Sequence, residues 1–309
     1  MVRPDPPLIV LLGPTAVGKT QLAARLAHKI NAEVISADSR QVFRGMDIGT
    51  GKDWDDYIVN GERVLAHLID IAEPGTEFSV FSFMKHFVPV FEDIQSQGKY
   101  SLVCGGTGLY LEALLKGYDL VDVPVNEDFR NEAENISTEE LVHRLTKYRK
   151  PHNTTDILSR ERLIRALEIE VFRSSYKQER KYDFSASKVF GLRFQRPEIR
   201  RRISKRLRER LENGMIEEVK ELLSMGIDPA MLLNYGLEYH YLTRYLLGEL
   251  EFNTMAGLLE TAIHQFAKRQ MTWFRRMEKG GIHIHWLEGE EGTDKNLITI
   301  LAAISAVKK

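Results

Sequence analysis

Residues 13–20 read GPTAVGKT, preceded by the apolar run Leu8 to Leu12 and followed by Leu22, Ala23, Leu26, Ala27 and Ile30 at helical spacing. The pattern G-x-x-x-x-G-K-[ST] between a strand and a helix is a phosphate-binding loop. Gly13 and Gly18 let backbone N–H groups turn inward on phosphate oxygens, and the following helix adds its dipole. Lys19 neutralises phosphate charge, and the Thr20 hydroxyl reaches Mg2+. A run that is apolar at every position suits a parallel strand buried on both faces. Whose phosphates the loop holds is the question for the rest of the chain.

The same unit recurs downstream. Glu33-Val34-Ile35-Ser36 reads as a second strand ending at Asp38, and Ser101 to Cys104 as a third, leading through Gly105-Gly106-Thr107-Gly108 into the helical LYLEALL. Repeated strand, turn and helix predict an α/β fold, a P-loop-type parallel sheet flanked by helices. Ser79 to Gln97 reads as a crossover helix with Phe83, Phe87, Val90, Phe91 and Ile94 on one side. Residues 118–188 are charged, poor in Gly and helical in pattern, so the expected organisation is a core over 1–117, a helical insertion over 118–188, and a return to the core over 189–309. Lys188 to Phe194 is strand-like. Beyond Pro197, Ile199, Ile203, Leu207, Leu211, Met215 and Val219 recur every four residues and predict one long helix with a basic opposite face. A helix pair near 229–247 and 253–278 and a strand over 282–286 follow.

Composition narrows the class. The 309 residues are 43% hydrophobic and 28% charged, enough to bury a real core. A lone cysteine, Cys104, excludes a disulfide framework and a cysteine zinc site and fits a reducing cytoplasm. No apolar run approaches the ~20 residues of a membrane span, and MVRPDPP lacks the apolar segment of a signal peptide. The net charge is −1, yet residues 141–210 hold 21 Lys+Arg against 8 Asp+Glu. Such a local surplus points either to a polyanion, nucleic acid being the commonest, or to solvated helix faces.

Several residues are candidates for chemistry. Asp38, in ISADSRQ, belongs at the carboxyl edge of the sheet, on the crevice of the phosphate loop. A carboxylate there serves as a base or metal ligand, or simply caps a helix. Thr107, in GGTG, either bonds phosphate or a carboxylate, or marks a tight turn. Asp70, in HLID, is either a Mg2+-holding strand end or the cap of the turn at Glu73-Pro74-Gly75. Arg200 to Arg210 is rich in cations, and residues 265–276 interleave aromatics with cations in a way that suits base stacking and phosphate pairing. Trp273 and Phe274 suit a core equally well. His283 and His285 have no third ligand nearby in the sequence and read as non-metal residues.

Taken in order, GPTAVGKT, ISADSRQVFRGMDIGTGK, HLID, LVCGGTGLYLEALLKG, RLIRALEI and AKRQMTWFRR resemble the tRNA dimethylallyltransferase, or tRNA isopentenyltransferase, family of bacterial type, over residues 13–276. The resemblance implies transfer of a dimethylallyl group from dimethylallyl diphosphate to the exocyclic amine of the adenosine just 3′ of the tRNA anticodon. It implies that Gly13, Thr15, Ala16, Val17, Gly18, Lys19 and Thr20 hold the diphosphate, with Mg2+ at Thr20. Asp38 is then the general base, Thr107 sits near the reacting centre, and Arg202 supports the leaving group. Ser39, Arg40 and Gln41, with Asp38 and Thr107, match the stretch that meets the substrate adenine. Arg162, Arg165, Lys268 and Arg269 match RNA-contacting segments, the insertion helping to grip the anticodon stem-loop. A cytoplasmic monomer is expected. The chain departs from the pattern at Ala66-His67, where the family has His-His, at Gly236-Leu237-Glu238-Tyr239, where it has Gly-Tyr-Arg/Lys, and at Arg40. The rival readings are an adenylate dimethylallyltransferase, a small-molecule P-loop kinase, and an RNA-binding protein with a vestigial loop.

Overall fold

The computed structural model describes residues 1–118, 123–148, 159–175 and 182–305. The chain divides into two compact units, one of residues 119–181 with Met1 and one of residues 2–118 with 182–309. In chain order the larger unit begins with β1 (Ile9–Leu12), α1 (Lys19–Ile30), β2 (Ala32–Ser36), the short β3 (Ile58–Val59) and β4 (Glu62–Arg63), β5 (Ala66–His67), α2 (Val80–Ser96), β6 (Tyr100–Gly105) and α3 (Gly108–Lys116). The smaller unit supplies α4 (Glu127–Glu134), α5 (Thr138–Tyr148) and α6 (Arg160–Ser175). The larger unit then resumes with β7 (Lys188–Arg193), α7 (Arg196–Glu212), α8 (Met215–Ser224), α9 (Pro229–Leu232), α10 (Leu237–Leu246), α11 (Phe252–Lys279), β8 (His285–Glu288) and α12 (Thr293–Ser305).

Six strands form one parallel sheet in the order β5-β2-β6-β1-β7-β8. β1 lies inside it, and every one of its residues is buried. Alternation sends Ile9 and Leu11 to one face, with Leu22 and Leu26 of α1 and Ile300 of α12. Leu8, Val10 and Leu12 meet Phe83, Phe87 and Phe91 of α2 on the other. Each fully buried aromatic or branched side chain stabilises this packing by about 1.5–3 kcal/mol. A third cluster joins Val42, Phe43 and Met46 to Ile203 and Leu207 of α7, Met215 and Val219 of α8, Leu242 of α10 and Ile263 of α11. None of the described helices is long and apolar enough to cross a membrane.

The single long helix expected after Pro197 is two helices. α7 stops at Glu212, and Gly214, at φ +98°, turns the chain into α8. Left-handed backbone of this kind is favourable only for glycine. Residues 182–188, expected to end the insertion, fold with the sheet. Phe184 packs on Phe87 and Phe91, and the Asp183 N–H donates to the Val2 carbonyl at 2.9 Å. The terminal helix α12 was not anticipated; Leu297, Ile300 and Ile304 bury its apolar side. In the smaller unit Leu141, Leu145, Leu163 and Leu167 form a separate core. Arg160 caps the end of α4 there, donating to the carbonyls of Ala133 (2.8 Å), Glu134 (3.0 Å) and Ile136 (2.6 Å).

β6 ends against the start of the Asp38 loop so closely that a methyl added at Gly105 would lie 2.3 Å from the Ala37 carbonyl oxygen. Neither backbone can yield inside a parallel sheet. Gly105→Ala is expected to destabilise the protein by about 1–3 kcal/mol, as overpacking does, read as a lower urea midpoint at unchanged m value. An unchanged midpoint would contradict this packing.

Candidate active site

The carboxyl ends of β1, β2 and β6 open into one cavity of about 560 Å3. This size suits a small molecule or a single nucleobase with its donor. The loop after β1 forms its floor. Ala16 holds a left-handed φ of +64°, unusual for a side chain larger than hydrogen, and Arg202 Nε donates to its carbonyl at 2.8 Å. The Arg202 guanidinium also sits over the Phe194 ring, 4.6 Å from its centre. Thr15, Ala16, Gly18, Lys19 and Thr20 line the cavity, whereas Val17 is buried beneath. Gly13 lies under the loop against the Leu192 carbonyl.

Lys19 Nζ donates to the Pro14 carbonyl at 2.7 Å. Burial pushes its ammonium down to about 8, opposed by the Asp38 carboxylate and reinforced by the Arg206 guanidinium. Arg206 donates to the Thr15 hydroxyl, and burial lowers it to about 10, so it stays cationic at neutral pH. The Cys104 thiol is pushed up to about 12 by burial, which leaves it neutral and a small hydrophobe.

The wall opposite comes from β2 and β6. Asp38 lines the cavity and accepts the Arg40 N–H at 2.9 Å on Oδ1. Thr107 Oγ1 accepts the Ser39 N–H at 3.0 Å, and the Thr107 N–H donates to the Ala37 carbonyl at 3.2 Å. The GGTG turn and the Asp38 loop are thus tied at the point where chemistry is expected. Ser39, Arg40 and Gln41 line the same wall, and Arg269 stands at the α11 side. Lys268 instead lines a neighbouring groove with Pro14, Arg200 and Arg275. Trp273 lines the cavity while Phe274 is core, and Trp273 Nε1 is buried with no acceptor among the described residues. Asp70 is engaged elsewhere: its carboxylate accepts the buried Lys52 ammonium, and it does not line the cavity. Arg162 and Arg165 lie on α6 of the smaller unit. Arg162 is exposed, whereas Arg165 pairs with Glu168 and donates to the Val123 carbonyl at 2.7 Å.

Arg206, Arg210, Gln270 and Glu238 line the cavity although none of them was assigned a role in it from the sequence. Arg206 and Arg210 follow Arg202 at four-residue steps, so one helical stripe turns inward, and that spacing was the available signal. Arg202 itself holds the loop without lining the cavity. Gln270 is buried and accepts the Thr15 N–H at 2.9 Å while donating to the Gly106 carbonyl at 2.9 Å. Glu238, inside a stretch noted only as a departure, lines the cavity, and burial raises its carboxyl, with Arg210 and Arg206 opposing. No three His, Cys, Asp or Glu side chains converge as a metal cage among the described residues. The oxygen donors lining the cavity, the Thr20 hydroxyl at the floor and the Asp38 carboxylate on the opposite wall, fit magnesium, which takes hard oxygen ligands and keeps phosphate and water in its shell.

Comparison with known proteins places the chain in a family. The profile described as IPP transferase matches residues 41–277, and one described as isopentenyl transferase matches residues 6–72. A tRNA dimethylallyltransferase 1 of Parabacteroides distasonis is 48% identical over 299 residues, covering 96% of this chain and 97% of that protein. A tRNA dimethylallyltransferase 2 of Phocaeicola vulgatus is 51% identical over 282 residues, covering 91% and 92%. The crystal structure of a tRNA isopentenylpyrophosphate transferase from Bacillus halodurans superposes with a TM-score of 0.70 at 32% identity, covering 97% of this chain and 96% of that one. This chain belongs to the IPP transferase family.

The lowered Lys19 ammonium makes a test of the cradle. A bound diphosphate favours the charged form, so its affinity should be level below about pH 8 and fall as pH rises above it, where binding must first recharge the amine. Calorimetric titration with inorganic diphosphate across pH 7–10 at constant ionic strength measures this, and a flat affinity would place Lys19 outside the anion site.

Proposed function

We propose that this chain transfers the dimethylallyl group of dimethylallyl diphosphate to the exocyclic amine of the adenosine immediately 3′ of the anticodon in tRNA, releasing diphosphate. The observation that carries the reading is that the phosphate loop, the Asp38 carboxylate and Thr107 all line one cavity, with the Asp38 loop tied to Thr107 through the Ser39 N–H. The relatives' names supply tRNA and the dimethylallyl group. A phosphotransferase finds less support, because Asp70 is bound to Lys52 instead of facing the loop.

In this reading the loop amides and Lys19 bind the diphosphate, with Arg206 beside them. As the amine nitrogen bonds to the allylic carbon, the carbon–oxygen bond breaks and its electron pair stays on the leaving diphosphate. These donors would stabilise the growing charge, which is how such sites lower a barrier. Asp38 takes the proton that the amine sheds. The Thr20 hydroxyl would hold Mg2+, which would supply further positive charge beside the diphosphate. Arg202 acts through the loop, by its bond to the Ala16 carbonyl. Thr107 fixes the Asp38 loop by accepting the Ser39 N–H. Aromatic surface from Trp273, Tyr235 and Phe266 offers a flipped base its stacking partners.

For the RNA outside the cavity, the supporting cations are Arg269 at the α11 side, Lys268 in the adjoining groove, and Arg162 on the exposed side of α6. Arg165 is committed to Glu168 and Val123, so it supports α6 more than it faces solvent. The enzyme is read as a cytoplasmic monomer.

The test is nucleoside mass spectrometry of unmodified tRNA incubated with protein, Mg2+ and dimethylallyl diphosphate. One prenylated adenosine per competent tRNA is expected, and its absence alongside phosphate release from ATP would overturn the reading. Asp38→Asn keeps shape but takes no proton, so kcat should fall by roughly 10²–10⁴ with tRNA affinity preserved. A near-normal kcat would leave Asp38 as a cap of the Arg40 N–H only.

A further inference from the structure

The turn made by residues 47–51 forms part of the cavity wall, through Gly49, Thr50 and Gly51. It is one isolated helical turn, closed by the Gly51 and Lys52 N–H groups donating to the Asp47 carbonyl at 2.9 and 3.0 Å. A turn this short has no preceding residues to occupy its first amides, which need an acceptor from elsewhere. Glu218 provides it. Its Oε2 accepts the N–H groups of Asp47 (2.8 Å) and Ile48 (2.6 Å), and its Oε1 accepts that of Gly49 (3.0 Å) and the hydroxyl of Tyr239 (2.6 Å). Successive amides converging on an anion make an anion nest, and here the anion belongs to the protein.

We propose that Glu218 is a positioning residue for the acceptor side of the cavity, and this rests on the transfer reaction argued above. The route is short and physical. Glu218 sets the turn, and the Gly51 carbonyl at its far end accepts Gln41 Nε2 at 2.9 Å. Gln41 lines the cavity next to Ser39 and Arg40. Its other amide atom accepts the Ser36 hydroxyl at 3.1 Å, so the amide orientation depends on both partners. Tyr239 adds a second link, because its ring lies 2.7 Å from where a methyl on Gly49 would be, and its hydroxyl is held by the same carboxylate.

None of these four donors belongs to the phosphate loop. The hydrogen-bonded link from the turn runs to Gln41, so the expected effect is on the substrate that meets Gln41. The break at Gly214 is what delivers Glu218: it starts α8 beside the turn, with Ile48 Cδ1 3.6 Å from the position a Gly214 methyl would take.

The experiment compares steady-state kinetics of Glu218→Gln and wild type, varying tRNA and dimethylallyl diphosphate separately. Gln keeps the size but turns one acceptor into a donor that faces backbone N–H groups. The tRNA KM should rise by about tenfold or more, with the donor KM changed by less than about twofold, since small misplacements of a positioning group carry factors of this order. Hydrogen exchange should quicken in the peptide spanning residues 46–52 while the sheet stays protected. Tyr239→Phe removes one donor and should move the tRNA KM the same way by less. Both KM values moving together, or neither moving, would overturn the proposal and leave Glu218 a stability residue. Should Glu218→Gln fail to fold, an unaltered tRNA KM in Tyr239→Phe with unprotected wild-type amides at 47–49 would overturn it as well. Wild-type turnover in the same assay tests the transfer reaction itself, so the two failures are distinct.

Discussion

The buried amide of Gln270 fixes the site. It lies between two loops that follow neighbouring strands, taking the Thr15 N–H after β1 and giving to the Gly106 carbonyl after β6. The Gly106 bond is buried and the Thr15 bond partly so, and a buried polar group left unpaired costs about 1–3 kcal/mol. Gly106 must be small for this contact, since a methyl there would lie 2.5 Å from Gln270 Nε2. α11 is thereby locked to the sheet's carboxyl edge. Everything else at the edge inherits that register, because the phosphate loop and the Asp38–Thr107 pair can work on one molecule only at fixed separation.

The sheet edge was legible in the sequence because its signals are local. An apolar run, a glycine-bearing loop and a helical repeat each reflect only their own few residues. β1, α1, β6 and the two loops therefore stand where the motifs placed them. The helix break at Gly214 was hidden for a physical reason. Ile203, Leu207, Met215 and Val219 all enter the same buried cluster although they belong to two helices. The four-residue repeat reports burial against that cluster, and the cluster persists across the turn. Only Asn213-Gly214 marked the break. Gln270 and Glu218 were invisible because each is defined by partners far away in the sequence, at Thr15 and Gly106 for one and at residues 47–49 for the other.

Charge counting was legible in sum and not in detail. The surplus over residues 141–210 is real, but its members do different things. Arg160 and Arg165 are used inside the smaller unit, holding carbonyls and Glu168. Arg202, Arg206 and Arg210 turn inward from α7, to the Ala16 carbonyl, the Thr15 hydroxyl and Asp53. Arg196, Arg200, Arg201, Lys205 and Arg208 remain exposed along the same helix. One basic helix thus has two electrostatic jobs, divided by its 3.6-residue period. The inward stripe sits at low dielectric, where each charge acts strongly over short range. The outward stripe is screened by salt and contributes mainly to long-range attraction.

That division bears on how a cavity with several cations is balanced. Lys19, Arg40, Arg206, Arg210 and Arg269 line it, but so do Asp38, Asp53, Asp56 and Glu238. Burial lowers Lys19 and Arg206 and raises Asp56 and Glu238, so desolvation penalises charge of either sign here. Arg210 reaches Asp53 at 3.3 Å, which offsets part of that penalty. A cavity lined by cations alone would repel itself and bind anions indiscriminately. Interspersed carboxylates reduce that cost. Glu238 is the acid that burial strains and the arginines steady, so its charge and theirs are coupled.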